Sequence, residues 1–188
     1  MRILAVSGSL RAGSYNTTLA RAAVELAPAY VDAELYDRLA EIPPFDDDAD
    51  GEDAPEPVRD LRARIEAADA VLFVTPEYNG STPGVLKNAI DWASRPPRGQ
   101  AALWGKTVAV SGATTGRYGA IWAQQDLRRV LGIAGARVLE GELPVSRAHE
   151  AFDEDGRIRD SALVERVREH VTKLAAEAGV ARHVALAA

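Results

Sequence analysis

The fold of this chain is indicated first by residues 70–81, which read Ala-Val-Leu-Phe-Val-Thr-Pro-Glu-Tyr-Asn-Gly-Ser. The unbroken apolar run that ends before Pro76 is typical of a strand buried on both faces of a parallel sheet. The polar loop after it leads into a helix whose apolar residues recur at helical spacing. That stripe is formed by Leu86, Ala89, Ile90 and Ala93. A strand, a loop and an amphipathic helix in succession make the repeating unit of an α/β sheet.

The same alternation continues on both sides of this unit. Short apolar segments predict four further strands, at 2–7, 33–36, 106–111 and 137–139. Because there is no internal repeat and no linker, we expect one domain over residues 1–188. The predicted fold is α/β, with a doubly wound, five-stranded parallel sheet in the order 2-1-3-4-5 and helices on both faces. The apolar stripe of the last helix ends at Ala178, and residues 179–188 are expected to form a loose tail or to cover a neighbour.

The composition excludes several kinds of chemistry. The chain has 188 residues and no cysteine, which excludes disulfides, iron–sulfur ligation, thiolate-bound zinc and a cysteine nucleophile. Its three histidines show no metal-ligand spacing, and its net charge of −6 disfavours nucleic acid as a partner. The apolar stretches are too short to cross a bilayer, and the first residues lack the features of a secretory signal. We therefore expect a cytoplasmic protein that is not attached to a membrane.

The negative charge is concentrated in residues 39–58. This segment holds eight acidic residues and no basic one, which leaves two more bases than acids in the rest of the chain. Its four prolines and Gly51 predict a loop. An EF-hand calcium loop would need a glutamate at its twelfth position, where Pro57 stands, so that interpretation is rejected. A solvated surface loop is the simpler interpretation, and an acidic docking segment for a partner is the other.

The predicted topology brings three loops to one place. In doubly wound sheets the ligand binds at the carboxyl ends of the strands, near the point where the strand order reverses. The loops that follow the first, third and fourth strands are rich in Gly, Ser, Thr and Asn, and they span residues 8–16, 76–81 and 111–119. The sequence therefore predicts a single ligand site built from these three loops.

The first loop, residues 8–16, is predicted to bind a phosphate. It carries Arg11 and precedes a helix whose N-terminal amides and dipole favour an anion. Hydroxyl and amide side chains add further donors, at Ser9, Ser14, Asn16, Thr17 and Thr18. The alternative is a strand-to-helix turn with ordinary capping residues.

Two common nucleotide motifs are excluded for this loop. A Walker A loop would have a lysine after Gly13, where this chain has Ser14. The dinucleotide fingerprint would have its second glycine at the position of Leu10. A phosphomonoester of a mononucleotide therefore fits the loop better.

The other two loops are suited to a flat heterocycle. Residues 76–80 can offer backbone N–H and C=O groups to the polar edge of a ring, with Tyr78 as an aromatic wall. The third loop offers donors to the opposite side, at Ser111, Thr114, Thr115 and Gly116. The respective alternatives are a helix-entry turn and a flexible loop.

Two stretches of the chain resemble one known family. Gly8-Ser-Leu-Arg-Ala-Gly-Ser-Tyr-Asn16 is similar to the phosphate loop of the NAD(P)H-dependent FMN reductases. The stretch from Pro76-Glu-Tyr-Asn to Ile90-Asp-Trp92 is similar to that family's second signature. The family has a flavodoxin-like fold and includes quinone, azo-dye and chromate reductases. The resemblance runs from residue 2 to roughly residue 175.

The resemblance implies that FMN is the cofactor and NAD(P)H the co-substrate. It implies that the FMN phosphate is held by Ser9, Arg11, Ser14, Asn16 and Thr17. It also implies that the ring is lined, mainly by backbone, by Pro76, Glu77, Tyr78, Asn79 and Gly80, with its edge at Ser111, Thr114, Thr115 and Gly116. No side chain is expected to act as a catalytic acid, base or nucleophile, and no metal is expected. Since family members usually assemble, a homodimer or homotetramer is expected.

The resemblance therefore implies an FMN-dependent oxidoreductase that passes hydride from NAD(P)H to a small acceptor. The acceptor can be a quinone, an azo compound, a metal oxyanion or free flavin, and the sequence does not choose among them or between NADPH and NADH. The alternative is a flavodoxin-type carrier of single electrons. The acidic segment would favour a carrier, because it could attract basic redox partners.

Overall fold

The computed structural model describes residues 1–51, 53–96 and 99–187, and its centre is a parallel sheet. The strands are β1 (Arg2–Ser7), β2 (Asp32–Tyr36), β3 (Ala70–Val74), β4 (Thr107–Ala113), β5 (Arg137–Val138) and β6 (Leu143–Val145). They lie in the order β2-β1-β3-β4-β5, with β6 also paired to β4, and the ladders between them are parallel. The predicted α/β fold with this strand order is confirmed.

Helices cover both faces of the sheet. They are α1 (Tyr15–Glu25), α2 (Glu56–Ala67), α3 (Gly84–Ala93), α4 (Ile121–Ile133), α5 (Ala148–Ala151) and α6 (Ser161–Ala187). The apolar residues of α2, α3 and α4 share one core with Leu4 and Val6 of β1. Those of α1 and α6 share the other core with Ile3 and Ala5. Successive residues of β1 therefore serve opposite cores, as the two-residue period of a strand requires.

The fifth position of the sheet is split into two short strands, where the sequence predicts one strand at 137–139. β5 pairs with the beginning of β4, and β6 pairs with its end. Between them the chain bends at Gly141, whose φ of 90° favours glycine. The Arg128 side chain of α4 donates hydrogen bonds to the carbonyl groups of Leu139 and Gly141. The Arg128 side chain therefore satisfies two backbone carbonyl groups at the break in this strand.

The terminal helix is longer than the sequence predicts. α6 continues to Ala187, whereas the apolar stripe ends at Ala178. Ala178 is buried and Val180 is exposed, so the stripe ends where the packing ends. Residues 179–187 are thus helical, and the expectation that they lie loose or cover a neighbour stays a prediction. None of the helices within the described ranges is long and apolar enough to span a membrane.

The acidic segment 39–58, which we call the acidic strap, is packed against the fold. It contains two short 3-10 turns, Leu39–Glu41 and Asp47–Ala49, and its last residues begin α2. Apolar residues placed between its acids are buried, at Leu39, Ile42, Ala54 and Val58. The described acids of the segment stay largely exposed, so it is a surface loop whose buried apolar residues hold it to the fold, an anchoring that the acidic composition hid.

Two residues of the second signature fasten the acidic strap. The Nε1 of Trp92 and the Nδ2 of Asn88 both donate to the carbonyl oxygen of Pro43, at 2.9 and 2.8 Å. The amide of Phe45 donates to Asn88 Oδ1 at 2.7 Å, and the Phe45 ring meets the Trp92 ring edge-on. These signature residues of α3 therefore hold the acidic strap.

Arginines that flank the acidic strap neutralise part of its charge. Arg38 forms ion pairs with Glu41 and Glu56, and Arg62 forms one with Asp50 at 2.7 Å. The Arg62–Asp50 pair is largely shielded from solvent, and Arg62 also donates to the carbonyl of Trp92. The acidic strap is therefore held by charge as well as by apolar contact.

Candidate functional site

The three predicted loops do meet at the carboxyl edge of the sheet. They begin after β1, β3 and β4, which are neighbours in the sheet order. The amide of Gly8 donates to the carbonyl of Val74 at 2.8 Å, and the amide of Thr75 donates to the carbonyl of Ser111 at 2.8 Å. The roots of the loops are thus hydrogen-bonded to one another at the place where the strand order reverses.

Ser14 of the first loop caps α1. Its Oγ accepts hydrogen bonds from the amides of Asn16, at 3.2 Å, and Thr17, at 3.4 Å. An N-cap hydroxyl keeps its own hydrogen, which remains free to be donated to a ligand. The positive end of the α1 dipole is therefore at this loop, as a phosphate site requires.

Asn16 braces the first loop against β4. Its Nδ2 donates to the carbonyl of Ala113 at 2.9 Å, and the amide of Ala113 donates to its Oδ1 at 2.8 Å. Asn16 is buried, so both polar atoms of its side chain are engaged with β4. The Nδ2 group has a second hydrogen that this contact does not use, and the phosphate contact that the resemblance implies for Asn16 stays a prediction.

The remaining members of the phosphate set lie on the open side of the loop. The Oγ1 of Thr17 is 2.9 Å from Ser7 Oγ, and Ser9 Oγ accepts from the amide of Arg11 at 3.4 Å. The Arg11 side chain is exposed and its guanidinium lies 5.9 Å from the centre of the Tyr15 ring. Arg11 forms no ion pair with any residue that the structure describes. A free cation thus stands beside a helix N-terminus.

The second loop is built on a tight turn. Asn79 and Gly80 have φ values of 53° and 73°, and Tyr78 and Ser81 exchange two backbone hydrogen bonds across them. Positive φ at both central residues is the mark of a type I′ turn, for which Asn-Gly is the preferred pair. The Asn-Gly pair could have predicted this turn. It leaves the Tyr78 side chain exposed at the edge of the site.

Glu77 reaches from the second loop to α4. Its Oε2 accepts from the amides of Trp122, at 3.0 Å, and Ala123, at 3.1 Å. The residue before α4, Ala120, has no side-chain acceptor, so Glu77 supplies the missing cap. The resemblance implies mainly backbone contacts for this residue, and no sequence signal indicates the role of its carboxylate.

Asp126 of α4 reaches back to the second loop, a role that no sequence pattern indicates. Its Oδ2 accepts from Ser81 Oγ at 2.6 Å and from the Thr82 amide at 3.3 Å. Its Oδ1 accepts from Arg129 at 2.8 Å. The bond from Ser81, with that from Arg129, lowers the pKa of Asp126 to about 2. The carboxylate therefore stays ionised at any ordinary pH.

The third loop is anchored to the segment after β6. The amide of Thr114 donates to the carbonyl of Val145, and the amide of Ala148 donates to the carbonyl of Thr114, both at 3.0 Å. Thr114 Oγ1 accepts from the amide of Gly116 at 3.3 Å. Thr115 and Gly116 are exposed, so they are open to a ligand.

Ser111 lies inside β4 and not on the third loop. Because side chains alternate along a strand, Ser111 points to the same face as Ala109 and Ala113, which belong to the core under α1 and α6. Its Oγ is buried and has no hydrogen-bond partner among the described residues. The Ser111 side chain is therefore turned into the core, and the contact with the ring edge that the resemblance implies for it stays a prediction.

Gly112, the next residue of β4, is required by the close approach of the second loop. A Cβ at this position would lie 2.7 Å from the carbonyl oxygen of Thr75 and 3.0 Å from the Cβ of Ala120. A side chain there would push the second and third loops apart. The glycine thus belongs to the packing of the site.

The fold and this edge together define a class of protein. A free arginine at a helix N-terminus suits a phosphate, and an exposed tyrosine on a rigid turn nearby suits a planar ring. At the switch point of a doubly wound sheet, these features are those of a flavodoxin-like protein that binds a flavin mononucleotide. The donor set and the close approach of the loops fit FMN.

Comparison with known proteins gives the family. The chain belongs to the NADPH-dependent FMN reductase family, whose model matches residues 1–150. It is 42% identical over 175 residues to an NAD(P)H-dependent FMN reductase of Pseudomonas aeruginosa, with 93% of each chain covered. It is 39% identical over 159 residues to a quinone reductase of Pseudomonas putida, with 84% of each covered.

Solved structures agree with this placement. The flavoenzyme NAD(P)H:(acceptor) oxidoreductase FerB of Paracoccus denitrificans is 37% identical, with a TM-score of 0.83 over 92% of this chain and 94% of that one. A flavodoxin of Pseudomonas aeruginosa, at 18% identity and a TM-score of 0.58 over 97% of this chain and 99% of that one, shares the fold alone. The chain is thus an FMN-dependent oxidoreductase that uses NAD(P)H, and the one-electron carrier is not favoured.

Proposed function

We propose that this protein reduces quinones by two electrons at the expense of NAD(P)H. The observation that carries the proposal is the aromatic rim of the site, formed by Tyr78, Tyr118 and Trp122. Each of these side chains is about half exposed, and the last two rings are 4.9 Å apart. The Trp122 amide is bonded to Glu77, so this rim adjoins the second loop. Such a surface suits a flat aromatic acceptor better than a small oxyanion.

The residues divide into a phosphate half and a ring half. Arg11, Ser9, Ser14, Thr17 and the N-terminus of α1 would bind the phosphate of FMN. Residues 76–80 and 114–116 would hold the ring through backbone groups, with Tyr78 beside it. Bound FMN supplies the hydride-transfer chemistry. The protein would position the flavin ring and leave one face of it open to substrates. No carboxylate on these loops is free for acid–base chemistry, because Glu77, the one they carry, accepts hydrogen bonds from two amides of α4.

Assembly into a homodimer or homotetramer is part of this proposal. Large apolar side chains on α3 and α4 are exposed, at Val85, Trp122 and Ile133. Large exposed apolar side chains of this kind are a common feature of subunit contacts. Light scattering coupled to size exclusion would give the number of subunits, and a monomer at micromolar concentration would contradict this part.

The activity is tested directly with purified protein, FMN, NADPH and p-benzoquinone. We expect continuous oxidation of NADPH that requires all four components, with slower turnover when chromate or an azo dye replaces the quinone. A carrier would instead hold one electron without sustained turnover. Failure to bind FMN, or turnover that favours chromate over the quinone, would contradict the proposal.

A further inference from the structure

The second loop and the first turns of α4 are joined by two carboxylates that point in opposite directions. Glu77 extends from the loop to the amides of Trp122 and Ala123. Asp126 extends from α4 to the hydroxyl of Ser81 and the amide of Thr82. We call these contacts the carboxylate clamp. It is a reciprocal connection between segments some 45 residues apart in the chain.

The Asp126 half of the carboxylate clamp acts on the turn that presents Tyr78. Ser81 is fixed by Asp126 at one end, and it exchanges two backbone hydrogen bonds with Tyr78 at the other. Thr82 adds a bond from its hydroxyl to the carbonyl of Ala123. A shift of Asp126 would therefore be transmitted through one residue to Tyr78.

The Glu77 half fixes the start of α4, which continues directly from the third loop. The buried Gln124 donates to the carbonyl of Gly119 at 2.8 Å, so the end of the third loop moves with α4. Gly119 also packs tightly against Pro144, because a Cβ built on Gly119 would lie only 2.6 Å from the Cβ of Pro144. Fixing α4 to the second loop thus fixes the third loop as well.

We propose that Glu77 and Asp126 are positioning residues that set the spacing of the second and third loops, and hence the ring half of the FMN site. The inference rests on the proposed assignment of these loops to the ring. Neither carboxylate is bonded to the first loop or α1 in the described structure, so their loss should act directly on the ring half and not on the phosphate half. Neither carboxylate needs to touch the ligand for this role.

The experiment compares the binding of FMN with that of riboflavin, which has the ring and no phosphate. We would measure both affinities for Glu77→Ala and Asp126→Ala, for Glu77→Gln and Asp126→Asn, and for the control Asp91→Ala. Asp91 pairs with Lys87 on α3 and has no bond to the second loop in the described structure. Thermal unfolding of each variant without flavin would report whether the fold is kept.

The alanine variants should weaken FMN and riboflavin by the same factor, about tenfold, so that the ratio of the two affinities stays at the wild-type value. The visible spectrum of the bound flavin should shift towards that of the free flavin. The Gln and Asn variants retain an acceptor oxygen, so they should recover part of both properties. Asp91→Ala should resemble the wild type.

Several outcomes would overturn the inference. Weakening of FMN alone would place the effect at the phosphate, and equal weakening by Asp91→Ala would make it a general loss of stability. If the alanine variants do not fold, Glu77→Met and Asp126→Leu, which keep the volume and remove the acceptor, take their place, and wild-type affinity and spectrum in both would overturn it equally. A wild-type protein that binds no FMN would refute the proposed function itself, which separates the two failures.

Discussion

The side chain of Asn16 and the backbone of Ala113 exchange two hydrogen bonds across 97 residues of chain. The contact joins the start of α1 to the end of β4, and it is buried. Each bond satisfies a backbone group of Ala113 that water cannot reach. The first and third loops are therefore braced by one amide side chain.

Asn16→Ala should lower the free energy of unfolding by about 2–4 kcal/mol, because it leaves two buried backbone groups without partners. Asn16→Asp keeps the acceptor for the Ala113 amide but sets a carboxylate oxygen against the Ala113 carbonyl in a buried place, so it should lose at least as much. Urea unfolding of the flavin-free protein measures both. A loss below about 0.5 kcal/mol in the alanine variant would be that of an ordinary surface position and would refute the brace.

Arg11→Ala should weaken FMN binding about 10- to 100-fold, because a charge-assisted bond to the phosphate is lost. Riboflavin, without a phosphate, should bind as it does to the wild type. Arg168→Ala, which removes an exposed arginine of α6 paired with Glu165, serves as the control. Equal effects on FMN and riboflavin would remove Arg11 from the phosphate site.

His170 should make the stability of the protein dependent on pH. Burial lowers its pKa to about 4, while a hydrogen bond with the Val110 backbone opposes the shift, and Lys173 and Arg128 favour it. In the unfolded chain the imidazole of His170 takes up a proton near pH 6.5, and in the folded protein only near pH 4. The stability that the neutral imidazole contributes is therefore complete above about pH 6.5 and is lost as the pH falls through 4.

The His170 prediction is measured as the difference in unfolding free energy between the wild type and His170→Gln across this range. This difference in unfolding free energy should change between about pH 6.5 and pH 4, and it should be constant above about pH 6.5. Thr172→Ala, on the same helix and without a titratable group, should show no such change. A pH-independent difference for His170→Gln would refute the prediction.

Gly112→Ala should lower the free energy of unfolding by about 1–3 kcal/mol, because its Cβ would overlap the carbonyl oxygen of Thr75. Gly84→Ala is a matched control, since a Cβ at the start of α3 would have no atom within 4 Å. Melting temperatures of the two variants give the comparison. Similar temperatures would mean that the second loop yields to the extra methyl group.

The features that the sequence predicts well are those with a local signal. The apolar runs of β1, β3 and β4 and the stripe of α3 are visible in windows of a few residues, and the ligand edge then follows from topology. The anchoring of the acidic strap was not predicted, because its charges were counted and the apolar residues among them were not. The split of the fifth strand depends on Arg128, which no local window contains.

The bracing contacts of the site could not be predicted for a related reason. Glu77, Asp126 and Asn16 act through partners 44 to 97 residues away, and no periodic pattern joins such pairs. Each of the three residue types is also common as a cap or a solvated surface residue, so type alone favours the wrong role. Only the three-dimensional arrangement shows which backbone groups they satisfy.

The break between β5 and β6 has a consequence for contacts between molecules. An unbroken outer strand offers a row of free amides and carbonyls on which a strand of another molecule can add. Here that border of the sheet is two short pieces, and Arg128 occupies carbonyl groups between them. Growth of the sheet from one molecule into the next is thus discouraged at this border, which protects the folded protein from aggregation through its backbone.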